Sequence, residues 1–161
     1  MPGERGDGTP TGVVFREARG ADLPRVIALL REGSAGEPAP LGLAAAERQV
    51  EAMASAGATR LFVGEIGEQT VACYQITLIF GLSLDAGCRA QLEGVRVAGD
   101  HRGRGIGAEL VADAEGRARA AGAELIQLMS NRSREAAHRF YARLGYRPSH
   151  AGFKKRLSDP D

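Results

Sequence analysis

The segment that most constrains this chain is VRVAGDHRGRGIG, at residues 95–107. An apolar, strand-forming run ends at Val97, and the residues after the segment have the apolar spacing of a long helix. Glycines between the two allow backbone N–H groups to approach an anion closely, and the first turn of a helix carries a partial positive charge. Arg102 and Arg104 add forked donors that suit phosphate oxygens. The pattern therefore predicts that residues 102–107, hereafter the glycine–arginine loop, bind a pyrophosphate.

Other phosphate-binding loops fit this segment poorly. A P-loop requires GxxxxGK[ST], and the chain has no lysine before Lys154. The dinucleotide-binding fingerprint is loosely met by Gly103, Gly105 and Ala108, but it normally follows the first strand, whereas three to four predicted strands precede this loop. A glycine-rich turn with a purely structural role is the remaining alternative.

Apolar periodicity predicts an α/β fold with a single mixed, mostly antiparallel sheet flanked by helices. Leu23, Val26, Ile27 and Leu30 have helical spacing, and Asp22 is expected to cap that helix. Antiparallel hairpins are expected in the first half of the chain and a strand–helix–strand unit in the second half. The predicted strands are 13–15, 61–66, 71–80, 92–97, 125–129, Tyr146 and 153–157, and the predicted helices are 23–30, 43–56, 106–121 and 137–144.

The chain of 161 residues suffices for one domain, which we expect at 13–157 between a disordered tail at 1–12 and a short tail at 158–161. The net charge of +1 argues against nucleic acid or an anionic membrane as a partner. No apolar run approaches the roughly 18 residues of a membrane span, and the first tail lacks the apolar stretch of a signal peptide, so a cytoplasmic protein is expected. Cys73 and Cys88 are predicted to be reduced thiols, and no cysteine or histidine spacing suggests a metal site.

Two motifs resemble those of the GNAT superfamily of acetyl-CoA-dependent N-acetyltransferases. The first is R-x-x-G-x-G at residues 102–107, after a strand that ends in VRV, and the second is AHRFYARLGY at residues 137–146. The opening segment at 16–22 is also typical of the family. The resemblance extends over residues 13–157 and implies a GNAT-like acyl-CoA acyltransferase fold. Residues 131–157 look most similar to small-molecule members such as aminoalkylphosphonate N-acetyltransferases.

The resemblance also implies which residues contact acetyl-CoA. In the family, the strand before the loop separates from its neighbour, so that its backbone binds the pantetheine arm, and the loop wraps the pyrophosphate. The implied contacts are Val95, Arg96, Val97, Arg102, Gly103, Arg104, Gly105, Ile106 and Gly107. Asn131 is a further implied contact. Many members of the family carry an asparagine seven residues before their general-acid tyrosine, and the corresponding position in this chain, seven before Tyr141, is Arg134.

Two residues match the family's acid and base. By its place in the last predicted helix, Tyr141 matches the general-acid tyrosine of the family. A phenol with a pKa of about 10 can protonate a departing thiolate; packing in the core is its alternative role. Glu93 is the implied base, which relays a proton from the attacking ammonium through water, and its alternative is a solvated acid. His138 is expected on a solvated face, and His150 is a weaker candidate for approaching the acceptor.

The resemblance implies an enzyme that moves an acetyl group from acetyl-CoA directly to a primary amine of a small molecule. The alternatives are acetylation of a protein N-terminus or lysine, and a non-catalytic acyl-CoA-binding sensor domain. Nucleic-acid binding is disfavoured because basic and aromatic residues do not interleave. The acceptor pocket is expected from residues 31–45 and 80–90, and the apolar run 76–84 is expected to support a homodimer.

Overall fold

Residues 11–32, 39–82 and 84–157 are described by the computed structural model, in which the chain divides after Leu128 into two units. The second unit contains helix α4 (Glu135–Arg143). The first unit contains strands β1 (Val14–Glu17), β2 (Thr59–Ile66), β3 (Gln69–Phe80), β4 (Cys88–Val97) and β5 (Leu125–Leu128), and helices α1 (Leu23–Arg31), α2 (Leu43–Ala56) and α3 (Ile106–Ala120). The predicted α/β class is confirmed, and β4 begins four residues earlier than predicted.

The five strands form one sheet in the order β1-β2-β3-β4-β5. Strands β1 to β4 pair with one another in antiparallel fashion, and β5 is parallel to β4 because α3 crosses between them. A tight turn through Gly67, whose φ of +59° is left-handed, joins β2 to β3. The predicted combination of antiparallel hairpins and one strand–helix–strand unit is therefore confirmed.

The two faces of the sheet can be told apart at β3. Tyr74 is fully buried, and its hydroxyl donates a hydrogen bond to Asp113 of α3. Arg117 of α3 donates to the same carboxylate at 2.8 Å. Burial and the bond to Asp113 raise the pKa of Tyr74, so its phenol stays protonated. Because side chains alternate along a strand, Gln75 and Thr77 lie on the face opposite α3.

The predicted cap of α1 is wrong. Asp22 precedes the helix, but its carboxylate makes no hydrogen bond to the N–H groups of α1. It accepts two bonds from the Arg16 guanidinium, at 2.7 and 2.9 Å, and a third from the backbone N–H of Arg19 at 2.6 Å. Arg16 also pairs with Glu65 of β2. The charge-assisted bonds from Arg16 hold the pKa of Asp22 below its usual range, and they tie the segment before α1 to two strands.

The second unit has no strand among its described residues, 129–157. The predicted closing strands at Tyr146 and 153–157 are therefore wrong. A strand requires a neighbouring backbone with which to pair, and an apolar pattern alone does not supply one. Phe153 is 94% exposed and Leu157 is 92% exposed, so these side chains pack against nothing in that unit.

Most of both expected tails, residues 1–10 and 158–161, lies outside the described residues. Thr11 is described and lies against the first turn of α3. Its backbone N–H and its hydroxyl donate to the carboxylate of Glu109, at 3.3 and 2.9 Å. The domain limits at 13 and 157 stay predictions.

Candidate functional site

Strand β4 continues beyond the point where β5 stops pairing with it. The last parallel pair is Leu92 with Leu128, and the remainder of β4 pairs only with β3 among the described residues. The backbone edge of β4 that would face a continued β5 is therefore open from Glu93 to Val97. An unpaired strand edge offers alternating N–H and C=O groups to an extended ligand. Val95, Arg96 and Val97, the residues implied to bind pantetheine, lie on this open stretch.

A β-bulge interrupts β4 at the start of the open edge. Gln75 pairs with Glu93 and Cys73 pairs with Arg96, so β4 has one more residue than β3 between these two pairs. Gly94, inside the bulge, has a φ of +60°, a left-handed conformation that side chains rarely adopt. Its carbonyl accepts a 3.6 Å bond from the buried Cys73 thiol. The bulge redirects the backbone of β4 where it leaves β5.

The glycine–arginine loop follows β4 and leads directly into α3. Gly103 has a φ of +73° and Gly105 a φ of +88°, and Gly105 occupies the position immediately before the helix. The first N–H groups of α3 have no acceptor within the helix. A Cβ built on Gly103 would meet nothing within 4 Å, so the space in front of the loop is open. These features fit an anion, since unpaired N–H groups and the positive end of the helix lie together.

The charged side chains of the loop are exposed. Arg102 donates from Nε to the carbonyl of Val97 at 3.0 Å, which directs its guanidinium back along the open edge of β4. Arg104 makes no hydrogen bond or ion pair with any of the residues described. Ile106 is 1% exposed and packs in the core, so only its backbone is available to a ligand.

One residue that the sequence did not indicate supports the turn before the loop. The carboxylate of Glu32, just after α1, accepts a 2.9 Å hydrogen bond from the backbone N–H of Gly99. Arg25 of α1 approaches the same carboxylate at 3.5 Å. This contact joins residues 67 positions apart, and no local pattern in the sequence could have revealed it. Next to it, a hydrogen bond from His101 lowers the pKa of the exposed Asp100.

Glu93 lies immediately before the bulge and is exposed. Its carboxylate accepts a 3.4 Å hydrogen bond from Gln75 on the neighbouring strand. It therefore stands on the face of the sheet opposite α3, at the start of the open edge. Gln91 and Gln127, which the sequence did not indicate as functional residues, lie on the same face and are hydrogen-bonded to each other at 2.7 Å.

The remaining candidates belong to the second unit. Tyr141 is half-buried in α4, with ring centroids 5.1 Å from Phe140 and 5.7 Å from Tyr146. The side-chain oxygen of Asn131 accepts hydrogen bonds from the N–H and hydroxyl of Ser133, at 3.0 and 2.9 Å, which closes a local turn. The amide NH₂ of Asn131 makes no hydrogen bond to any residue that the structure describes. His138 is exposed, as predicted for a residue on a solvated face.

Cys73 and Cys88 are both free and buried, so the prediction of reduced thiols is confirmed. Within the parts of the chain that the structure describes, no three His, Cys, Asp or Glu side chains form a group that could hold a metal ion. The described helices also include none with the length and apolar character needed to cross a membrane. Residues 33–38 of the expected acceptor pocket lie outside the described residues.

Comparison with known proteins gives a consistent result. The family model of the acetyltransferase (GNAT) family matches residues 27–146. A solved transcriptional regulator from Bacillus halodurans C-125 is 34% identical, with a TM-score of 0.80 over 90% of this chain and 99% of that chain. A protein from Agrobacterium tumefaciens str. C58 that is assigned as an acetyltransferase is 27% identical, with a TM-score of 0.77 over 89% and 99%. A GCN5-related N-acetyltransferase from Ralstonia eutropha JMP134 is 26% identical, with a TM-score of 0.71 over 91% and 100%. No curated protein sequence matches the chain.

Proposed function

The chain belongs to the acetyltransferase (GNAT) family, and from this premise we propose that it transfers an acetyl group from acetyl-CoA directly to a primary amine of a small molecule. Members of the family generally use acetyl-CoA and act on small-molecule or protein acceptors. The choice of a small amine, and the assignment of individual residues, are the parts of the proposal that go beyond membership of the family.

One observation carries the proposal: the open edge of β4 is joined to the glycine–arginine loop by only the short turn at residues 98–101. An extended pantetheine arm can pair with the backbone of Val95 and Val97, and the pyrophosphate at its end would then reach the N-terminus of α3. Arg104 is exposed and free to bind a phosphate oxygen, and Arg102 lies next to it. Asn131 is proposed as a further contact through its free NH₂ group.

The proposed reaction requires one proton acceptor and one proton donor. The attacking nitrogen must lose a proton, form a bond to the carbonyl carbon, and displace the sulfur as the C–S bond breaks. We assign the first proton to Glu93, acting through water, because this carboxylate is exposed at the bulge. Tyr141 supplies the proton that converts the departing thiolate to a thiol. We propose that no acetyl-enzyme intermediate forms, because the thiols of Cys73 and Cys88 are both buried, and burial raises the pKa of the Cys73 thiol to about 12.

The test is release of free thiol from acetyl-CoA in the presence of separate amines: polyamines, aminophosphonates, aminoglycosides and a lysine-containing peptide. We expect thiol release with at least one small amine and none with the peptide. Arg104→Ala is expected to weaken acetyl-CoA binding, whereas Arg48→Ala, a matched change at an exposed position on α2, is expected to leave it unchanged. Turnover with the peptide alone would contradict the small-molecule acceptor.

A second candidate, an acyl-CoA-binding sensor without turnover, is favoured by one comparison. The solved protein from Bacillus halodurans C-125 is described as a transcriptional regulator and is 34% identical to this chain. A sensor would bind acetyl-CoA through the same loop but release no thiol with any amine. Calorimetry and the thiol assay on the same preparation therefore distinguish the two candidates.

We also propose a homodimer, as the apolar run 76–84 predicted. Phe80 is 72% exposed and Leu82 is 102% exposed, which supplies apolar surface at the end of β3, whereas Ile76 is 6% exposed and belongs to the core. Sedimentation velocity tests the proposal: Phe80→Ser is expected to shift a dimer toward monomer, and a wild-type protein that sediments as a monomer would contradict it.

A further inference from the structure

We infer that Gln91 selects the acceptor, by donating a hydrogen bond from its side-chain amide to an oxygen atom of the amine substrate. This inference rests on the proposed amine acetylation and specifies its substrate class: amines that carry a hydroxyl or carbonyl oxygen at a distance from the amino group. A row of polar side chains that lies entirely within the first unit carries this inference.

The row crosses four strands of the sheet. Thr59 pairs with Thr77, Thr77 pairs with Gln91, and Gln91 pairs with Gln127, so all four side chains share one face. The hydroxyls of Thr59 and Thr77 are 2.9 Å apart, and Gln127 donates from Nε2 to Oε1 of Gln91 at 2.7 Å. This face is the one opposite α3, whose side is marked by Tyr74. Polar side chains are common on the solvated face of an antiparallel sheet, but Gln91, within this row, is buried.

Within the row, one donor has no partner. Gln91 is only 9% exposed, and its Nε2 atom makes no hydrogen bond with any described residue. Its Oε1 atom is fixed by Gln127, so the amide cannot rotate freely to find a partner elsewhere. A buried polar group without a hydrogen bond is costly, and native structures leave few of them. An oxygen atom from a ligand would satisfy this donor.

The unpartnered amide lies next to the place where transfer would occur. Gln91 and Glu93 are two residues apart on β4 and therefore point to the same face, about 7 Å from each other along the strand. Leu92, between them, forms the last pair with β5, so the row crosses β4 two residues before the open edge begins at Glu93. Glu93 is exposed and carries the negative charge that attracts an ammonium group.

The spacing defines the substrate class. Because the two side chains are about 7 Å apart, an extended amine whose nitrogen is held by Glu93 would present to the Gln91 amide the atom that follows about five carbon atoms. That atom must accept a hydrogen bond, because Nε2 can only donate. A hydroxyl or carbonyl oxygen meets this requirement, and a methyl group does not. A site built around such a donor rejects the analogue that lacks the oxygen, because the donor is then left buried and unpaired.

The test compares two amines of equal length, 5-amino-1-pentanol and hexylamine, which differ only by a terminal hydroxyl in place of a methyl group. Their dissociation constants are measured by calorimetry on the full chain with coenzyme A bound, and thiol release from acetyl-CoA is measured in parallel. We expect the amino alcohol to bind about tenfold more tightly than hexylamine. In Gln91→Met the two constants should become equal, and in Gln49→Met, a matched change on the exposed face of α2, the wild-type ratio should persist.

Each outcome bears on the inference. Equal binding of the two amines to the wild type, or an undiminished ratio in Gln91→Met, overturns it. If Gln91→Met fails to fold, Gln91→Asn makes the same test, because its shorter amide cannot reach the same position, and the wild-type ratio stands independently of both variants. Selective binding without thiol release would support the role of Gln91 and contradict the proposed acetyl transfer. Thiol release without selectivity between the two amines would support the proposed acetyl transfer and contradict the role of Gln91.

Discussion

Replacing Gly105 with alanine tests the glycine–arginine loop most directly. Gly105 precedes α3 with a φ of +88° and a ψ of −14°. A Cβ at this position would meet only Thr11 Cγ2, at the ordinary contact distance of 3.7 Å, so there is no clash to relieve. The cost of Gly105→Ala therefore lies in the backbone, and holding an L-residue in a left-handed conformation costs about 1–2 kcal/mol.

The same helix offers a matched control, for which the expected change in unfolding free energy has the opposite sign. Gly116 lies inside α3, is exposed, and has nothing within 4 Å of a built Cβ. Alanine there removes the entropic penalty of a glycine within a helix, so Gly116→Ala should stabilise the protein by about 0.5–1 kcal/mol. The unfolding free energies of Gly105→Ala and Gly116→Ala should therefore differ by about 1.5–3 kcal/mol, which urea titration resolves.

The two variants should also differ in ligand binding. Gly105→Ala can relieve its strain only by rotating the backbone, which turns N–H groups of the loop away from a phosphate. We expect acetyl-CoA to bind at least about tenfold more weakly to Gly105→Ala, as for loss of one charge-assisted hydrogen bond, and equally well to Gly116→Ala. Equal stability and equal acetyl-CoA affinity in the two variants would refute both the conformational argument and the assignment of the loop.

Four further predictions concern other parts of the molecule. Tyr141→Phe should lower kcat about 100-fold in steady-state assays with little change in acetyl-CoA affinity, because only the proton donor is lost. Asp22→Asn should lower the free energy of unfolding at pH 7 by about 1–3 kcal/mol. The pKa of Asp22 is lower in the folded than in the unfolded protein, so its contribution to stability is present above about pH 4 and disappears as the pH falls through the folded pKa. The difference in stability between variant and wild type should therefore shrink in acid. Glu32→Ala should speed hydrogen exchange of the Gly99 amide, whose hydrogen bond the Glu32 carboxylate accepts, and should weaken acetyl-CoA binding. Glu32→Gln should restore both. Cys73 should react with thiol reagents at pH 8 only after unfolding, because burial raises the pKa of its thiol to about 12.

Specific results would contradict these expectations. Wild-type turnover in Tyr141→Phe, with chemistry shown to be rate-limiting, would leave the tyrosine a packing residue; Tyr146→Phe is the control that removes a neighbouring phenol. A stability difference for Asp22→Asn that grows in acid would reverse the assigned direction of the pKa. Unchanged exchange in Glu32→Ala would show that the turn holds without this carboxylate, and rapid labelling of folded Cys73 would show that its strand opens.

Local sequence patterns were sufficient for much of the fold. Strands β1 to β5 and the helices follow from the apolar period along the chain, whereas the closing strands predicted at Tyr146 and 153–157 do not form in the described residues. The order of antiparallel hairpins and a strand–helix–strand unit followed in turn. Asp22 shows the limit of local patterns. Its residue type and position fit a helix cap, but its carboxylate accepts hydrogen bonds from the Arg16 guanidinium instead of from the helix N–H groups.

The sequence by itself also determined which residues are candidates for cofactor binding and catalysis, because the glycine–arginine loop and the tyrosine motif are each a continuous run of residues. What only the tertiary structure decided is how distant segments meet. The end of the β4–β5 pairing at Leu92, the contact of Glu32 with Gly99, and the polar row through Gln91 all join residues far apart in the chain. Such contacts depend on strand register, and a shift of one residue would move each side chain to the other face of the sheet. No local pattern encodes that register, so the unpartnered amide of Gln91 became visible only after the strands were aligned.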